Sequence, residues 1–271
     1  MNEVVKFNNQ MNELSFKGFT EKDLDVFMAI CSRMRDLGEA TQVFDYDYLM
    51  DLTGFDRHQE VKVFHQSLQK MNKKLLRINL TIALKDGVEI DTVLFPKFVR
   101  DLNKRTLTVK VDKDCLNLLN NLGKNFTRFE LAEYIRLDGR YSKLIYQHLK
   151  QYRNTGWWQV TVDQLRSELA IPDSMATMHI LTKVINPSVE VIKTCKGFAD
   201  LDVEVLRSRR RGRAVEGYIF KWSTKKRNKN QRTLDDWQRD LEKSKKSKTT
   251  FTQFKQNNIN LDEIENELLD N

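Results

Sequence analysis

Three stretches near the start of the chain carry apolar residues at helical spacing. The first helix is predicted from Thr20, a residue suited to capping a helix N-terminus, to Gly38. A short strand is expected at residues 43–44. A short helix and a longer one follow within residues 45–75, and Asp56 is placed to cap the longer one. Residues 1–20 are expected to be an irregular lead-in.

The pattern then changes to the alternation of β-strands. Apolar and polar residues alternate over residues 76–84 and return over 88–95, with Asp86-Gly87 between them as a hairpin turn. A third alternating run covers residues 107–111. Helices followed by a β-ribbon are the order of a winged helix. The ribbon is therefore expected to be the wing of a first domain, with a tip around Lys85 that is not basic.

The same order of elements is predicted a second time after a connector at residues 112–126. Thr127 with Glu130, and Thr161 with Gln164, have the spacing of helix capping boxes. A strand at residues 157–160 lies between these two helical regions, and strands near residues 201–205 and 218–222 end the repeat. The fold class is α+β: two tandem winged-helix domains over residues 1–123 and 124–223, followed by a charged tail over 224–271.

One helix of the second repeat is expected to begin at Asp173 or Ser174. Proline cannot donate a main-chain hydrogen bond, so Pro187 is expected to kink or interrupt this helix. The apolar face predicted for it consists of Met178, Leu181, Val184 and Ile185.

Charge narrows the class of partner. The 271 residues include 46 Lys and Arg against 38 Asp and Glu, a net charge of +8. Such a balance favours a polyanion, either nucleic acid or an anionic membrane surface. No apolar run approaches the roughly 18 residues that span a bilayer, so no membrane partner is expected. The three cysteines have no paired spacing and are read as small buried residues of a protein in a reducing cytoplasm.

The sequence contains no recognisable catalytic or cofactor motif. Gly212 and Gly217 have the spacing of a phosphate-binding loop, but the Lys-Ser/Thr that such a loop needs does not follow. The four histidines form no metal-binding pair. We therefore expect a protein without enzymatic activity, cofactor or metal.

Candidate DNA-binding residues lie on the second helix of each predicted helix-turn-helix, the helix that enters the major groove. Arginine and glutamine can read bases, and lysine mostly meets phosphate. A solvated polar helix face is the alternative. On the first such helix the candidates are Arg57, His58, Gln59, Lys62, Gln66 and Lys70. On the second they are Ser174, Thr177, His179 and Lys183.

An arginine cluster lies between the last two predicted strands, where a wing tip is expected. Such a tip can straddle a phosphate backbone or place arginine in a narrow minor groove. Binding of RNA or of an acidic protein surface is the alternative. The cluster consists of Arg207, Arg209, Arg210, Arg211 and Arg213.

The second half of the chain resembles a known family. The residues are GRYSKLIYQHLKQYRNTGWWQVTVDQLRSELAIPDS from Gly139, ILTKVINPSVEVIK from Ile180 and GRAVEGYIFKW from Gly212. They are similar to the second winged helix of the iteron-binding Rep initiator proteins of theta-replicating bacterial plasmids, in the style of the RepB proteins. The likeness covers roughly residues 20–222 and is more specific from 125 onward. It departs at Glu190-Val191, where the family often has Glu-Ile.

The resemblance implies a plasmid replication initiator. Such proteins bind directly repeated double-stranded DNA at the origin, help to open an AT-rich region, and recruit the host initiator and helicase. They exchange between monomer and homodimer, and the dimer often represses its own gene. The alternatives are a winged-helix transcriptional regulator, a nicking enzyme, and an RNA- or membrane-surface protein that acts through its basic tail.

Overall fold

The computed structural model describes residues 3–55, 61–83, 88–120, 122, 125–208 and 214–224. These residues all belong to one of the two units into which the chain divides, Met1–Lys229. The predicted turn at Asp86-Gly87 and nearly all of the predicted tail lie outside the described residues.

Helices and strands alternate in the first half in the order of a winged helix. Its elements are β1 (Val4–Asn8), a 3-10 helix (Asn9–Glu13), α1 (Glu21–Met34), β2 (Gln42–Asp45), α2 (Tyr46–Thr53), α3 (Val61–Leu75), β3 (Asn79–Ala83), β4 (Glu89–Val93), β5 (Lys97–Asp101), β6 (Thr106–Lys110), a second 3-10 helix (Lys113–Cys115) and α4 (Leu116–Leu119).

The second half repeats that order. Its elements are β7 (Phe126–Glu130), α5 (Leu131–Ile135), α6 (Arg140–Gln151), β8 (Trp157–Thr161), α7 (Val162–Glu168), α8 (Thr177–Ile180), a π-helical turn (Leu181–Ile185), α9 (Asn186–Lys193), β9 (Asp202–Arg207) and β10 (Val215–Lys221).

The two halves have matching three-stranded antiparallel sheets, with the strand orders β2-β6-β5 and β8-β10-β9. In both, the strand after the first long helix lies at one edge, and the last strand lies in the centre. The predicted fold class of two winged helices is confirmed. The predicted N-cap of the first helix is also confirmed, since Thr20 Oγ accepts from the Asp23 main-chain N–H at 3.2 Å.

The wing predicted for the first domain was misplaced. Strands β3 and β4 do pair, from Asn79 with Val93 to Ala83 with Glu89. They form a separate two-stranded sheet. The strands that correspond to the wing of the second half are β5 and β6. Strand β5 was missed because its inward positions are Phe98 and Arg100 while Val99 faces outward, which breaks the apolar alternation.

Residues 3–20 are more regular in structure than predicted. Strand β1 pairs antiparallel with β7, from Val4 with Glu130 to Asn8 with Phe126. The predicted capping box at Thr127 was therefore wrong. Thr127 lies inside β7, fully buried, and its hydroxyl donates to Asn9 Oδ1 at 2.9 Å. The partner strand lies far away in sequence, so local spacing could not distinguish a strand from a helix start.

A buried ion pair joins the two halves. Lys143 Nζ on α6 lies 2.7 Å from Asp25 Oδ1 on α1, and both side chains are fully buried. The ammonium also donates to the main-chain oxygens of Tyr134 at 2.9 Å and Ile135 at 3.1 Å. The ammonium is thus held by an ion pair with α1 and by two hydrogen bonds to α5, which ties α6 to both helices.

Burial also controls the charge of this pair. Desolvation raises the pKa of Asp25 to about 6, against the opposing effect of the Lys143 ammonium. An acid with a higher pKa in the folded than in the unfolded chain binds its proton more tightly when folded. The contribution of Asp25 to stability is therefore largest at acidic pH and decreases as the pH rises from about 4 to about 6.

Lys143→Met should be strongly destabilising because it leaves the Asp25 carboxyl buried without its counter-ion. We expect the free energy of unfolding in urea near neutral pH to fall by about 3–5 kcal/mol. The deficit should shrink near pH 5, where Asp25 takes up a proton in the folded state. The control is Lys193→Met, which removes the exposed pair with Glu190 and should cost less than about 1 kcal/mol. Equal losses in the two variants would contradict a special role for the buried pair.

Candidate nucleic-acid interface

The helix-turn-helix of the second half consists of α7, the turn after it and α8. Helix α7 begins with the predicted capping box, since Thr161 Oγ accepts from the Gln164 main-chain N–H at 3.2 Å and Gln164 Oε1 accepts from that of Thr161 at 3.2 Å. Val162 and Leu165 are buried on its inner face. The cap and the apolar face together fix where the helix starts and which side packs inward.

Arg166 holds the turn between the two helices. Its guanidinium donates to the main-chain oxygen of Pro172 at 3.0 Å and to that of Met175 at 2.6 Å. It also donates to Thr177 Oγ at 3.3 Å, in the first residue of α8. The planar fork of an arginine suits several acceptors at once. Arg166 is therefore a positioning residue, a role that its place in the sequence did not reveal.

The start of the second recognition helix differs from the prediction. The helix begins at Thr177 after Ala176, so Asp173 and Ser174 lie in the turn and do not cap it. Ser174, His179 and Lys183 are exposed, and Thr177 is half-buried against Arg166. Met178, predicted to be a core residue, is 74% exposed. The structure thus leaves three of the four predicted DNA-binding residues of this helix exposed to solvent. The apolar side chain of Met178 is exposed beside them.

The helical backbone continues past Pro187 by widening. Residues 181–185 form a π-helical turn in which the Asn186 main-chain N–H donates to the Leu181 oxygen. Proline cannot supply the next N–H of a regular helix, and a wider turn is one way in which a helix adapts. Ser188 compensates, since its hydroxyl donates to the Val184 oxygen at 2.7 Å. Pro187 was predicted to kink or interrupt the helix. The backbone instead stays helical through Pro187, and the irregular part is the π-helical turn immediately before it.

The first recognition helix, α3, presents a polar outer face. Lys62, Gln66 and Lys70 are exposed, as predicted. The inner face consists of Phe64, Leu68, Met71 and Leu75, all buried. The other three predicted contacts of this helix lie outside the described residues: Arg57, His58 and Gln59.

The second wing is closed at its base. Strand β9 pairs with β10, and beyond its last residue the Ser208 main-chain N–H donates to the Ala214 oxygen at 2.8 Å. Arg207, at the end of β9, is exposed. The remaining arginines of the predicted tip fall between these two residues in sequence, outside the described part: Arg209, Arg210, Arg211 and Arg213.

Two titratable groups inside the second half support the helix-turn-helix from behind. His148 stacks on Trp158 at a ring distance of 4.6 Å, and burial lowers its pKa to about 3. Its Nε2 lies 3.5 Å from Glu168 Oε2 at the end of α7. Burial, and secondarily the charge of Glu13, raise the pKa of Glu168 to about 8. Burial therefore disfavours the charged form of both side chains, which suits packing and not binding of an anion.

The described residues offer neither a metal site nor a membrane span. They contain no group of three or more His, Cys, Asp or Glu side chains placed to hold a metal ion. None of the helices in this part of the chain is long and apolar enough to cross a membrane. The three cysteines, Cys31, Cys115 and Cys195, are unpaired and buried, as predicted.

Comparison with known proteins identifies the family. Residues 4–150 match the family described as Initiator Replication protein, WH1, and residues 161–222 match Initiator Rep protein, WH2. The chain belongs to the Rep initiator family. The resemblance drawn from the sequence is thus confirmed. The predicted boundary at residue 123 stays a prediction.

Two relatives of this Rep initiator are informative. A protein of Bifidobacterium longum named probable replication protein rep is 35% identical over 223 residues, 81% of this chain and 72% of that protein. The fold is similar to that of the Pi initiator protein, solved in complex with iteron DNA, with a TM-score of 0.62 and 14% identity. That match covers 83% of this chain and 98% of the other.

Arg166→Lys tests whether the three hydrogen bonds of the Arg166 guanidinium hold the turn before α8 in this Rep initiator. A lysine cannot reach all three acceptors, so we expect a loss of about 1–2 kcal/mol in the free energy of unfolding. Amide hydrogen exchange in α8 should be faster than in the parent protein. The matched control is Arg128→Lys on the exposed face of β7. Unchanged exchange in α8 would show that the turn does not need this guanidinium.

Proposed function

We propose that this Rep initiator binds directly repeated double-stranded DNA at a plasmid origin, one protein per repeat, and has no catalytic activity of its own. The observation that carries the proposal is the presence of two helix-turn-helix units in one chain, held together by the buried Lys143–Asp25 pair. Each unit has an exposed polar face on its second helix. Two helix-turn-helix units held at a fixed separation suit a long, asymmetric DNA site better than a short palindrome.

The base-reading and backbone-binding roles are divided between elements. We assign base contacts to Arg57, Gln59 and Gln66 in the first half. In the second half we assign them to Thr177 and His179. Lysine side chains meet phosphate more often than bases. Lys62, Lys70 and Lys183, all exposed, are therefore assigned to the backbone. We assign His58 and Ser174 to additional DNA contacts in the first and the second half, respectively.

The arginine cluster is assigned to the phosphate backbone or to a narrow minor groove. Arg207 is exposed at the end of β9, and the hydrogen bond between Ser208 and Ala214 closes the base of the connection that carries the other four arginines. Arginine on a wing supplies affinity that does not depend on sequence. The wing would then hold the protein on the duplex while the helices read the bases.

We further infer that the bound protein nucleates opening of an AT-rich region in the bacterial cytoplasm and recruits the host initiator and helicase. A homodimer in equilibrium with the monomer would bind an inverted repeat and repress the gene. One feature that supports a homodimer is a pair of exposed valines on the outer face of the first sheet. Val43 and Val99 flank Thr108 in register and are 53% and 46% exposed.

A nuclease footprint over the DNA flanking the gene tests the origin-binding role. We expect regularly spaced protections, one per repeat and about 20 base pairs apart, because each of the two helix-turn-helix units covers about one helical turn. A single palindromic protection over the promoter would identify a transcriptional regulator instead. The absence of any discrete protection would contradict sequence-specific binding to duplex DNA.

Replacement of Arg209, Arg210 and Arg211 together by alanine should weaken binding to every duplex. The plot of log affinity against log salt concentration should become flatter by about one unit for each phosphate that the variant no longer neutralises, because fewer counterions are released. The control is the triple alanine variant of Lys225, Lys226 and Arg227, which removes the same charge from the tail. An unchanged slope in the wing variant, or an equal change in the control, would contradict the assignment.

A further inference from the structure

The most exposed large apolar side chain of the described residues lies on a recognition helix. Met178 is 74% exposed, whereas the other exposed large hydrophobic residues of this part range from 40% to 53%. Single apolar residues on a surface are ordinary. What distinguishes Met178 is its position, the second residue of α8, just beyond the turn that Arg166 clamps.

Helix geometry explains why this methionine faces outward. The inner face of α8 and the π-helical turn is formed by Ile180, Val184 and Ile185, each at most 1% exposed. Met178 precedes Ile180 by two residues, which corresponds to about 200° around a helix. It therefore shares the outer surface with His179, Thr182 and Lys183, all exposed.

The surroundings of Met178 are polar and basic. The exposed side chains of His179 and Lys183 lie within five residues of Met178 along the same helical segment. An apolar protein partner would be poorly matched to these neighbours, whereas a DNA groove, with phosphates along its rims and base edges in its floor, is complementary to them. The same combination recurs on α3, where Val63 is 44% exposed between Lys62 and Gln66.

The major groove offers one apolar group, the C5-methyl of thymine. A methionine side chain is long, flexible and polarisable, so it can follow that methyl closely. We propose that Met178 is a specificity-determining residue that recognises a thymine methyl in the major groove. This inference rests on the proposed function, since it needs the second helix-turn-helix to read duplex DNA.

The size of the effect is set by the area that one methyl group buries. Removing a buried methyl group from an interface lowers affinity by about threefold to fivefold. Uracil differs from thymine only in lacking this methyl and keeps every hydrogen-bonding group. Replacing thymine by uracil therefore isolates the contact that we assign to Met178.

The test begins with the full chain and a random duplex library. The duplex that the protein enriches is then resynthesised with each thymine replaced in turn by uracil. For the parent protein we expect one or two positions at which uracil weakens binding by about threefold to fivefold. In Met178→Ala the affinity for the thymine duplex should fall by a similar factor, and the uracil effect should disappear at one of those positions.

Two controls separate recognition from folding. Met178→Leu keeps an apolar side chain of similar size and should keep most of the uracil effect. Leu37→Ala, at another exposed apolar side chain and outside the helix-turn-helix units, should leave it unchanged. If Met178→Ala keeps the full uracil effect at every position, or if uracil has no effect on the parent protein, the inference is wrong. If no duplex is enriched at all, the proposed function fails and the inference fails with it.

Discussion

A lysine and an aspartate without solvent contact connect the two winged helices, and the arrangement of the rest depends on them. Asp25 lies on the first long helix of one half and Lys143 on the first long helix of the other. Neither charge would be tolerated there alone, so each half supplies what the other half needs. Because the ammonium also donates to two main-chain oxygens at the end of α5, one lysine ties α6 to both α1 and α5.

Further polar contacts extend this seam. Asn12 Nδ2 donates to Gln151 Oε1 at 2.7 Å, and the Gly139 main-chain N–H donates to Glu21 Oε2 at 2.7 Å. Together with the pairing of β1 and β7, they join the N-terminal segment to the second half at several points. Hydrogen bonds are directional, so such a seam specifies an angle, which an apolar interface of the same area would leave less defined. In the proposed function, that angle sets the distance along the duplex between the base pairs that the two recognition helices contact.

The two recognition helices differ in the chemistry of their exposed side chains. Helix α3 presents lysine and glutamine side chains, whereas α8 presents a methionine and a histidine, with Lys183 in the π-helical turn that follows. Arg207 is exposed at the end of β9. In the proposed function, affinity from phosphate and discrimination between bases are carried by different elements. Arg166 is assigned neither role. Its guanidinium donates to the turn before α8 and to the first residue of α8, and so it positions that helix.

The sequence by itself determined the elements whose signals are local. Capping residues and apolar stripes located α1, α3 and α7, and the repetition of the order of elements identified two winged helices. Only the tertiary structure decided that β1 pairs with β7, that β5 and not the earlier hairpin forms the first wing, and that Met178 faces solvent. The reason is physical: a cap or a helical period is complete within a few residues. Strand pairing, and the choice of which helix face is buried, depend on partners that the chain brings together only on folding.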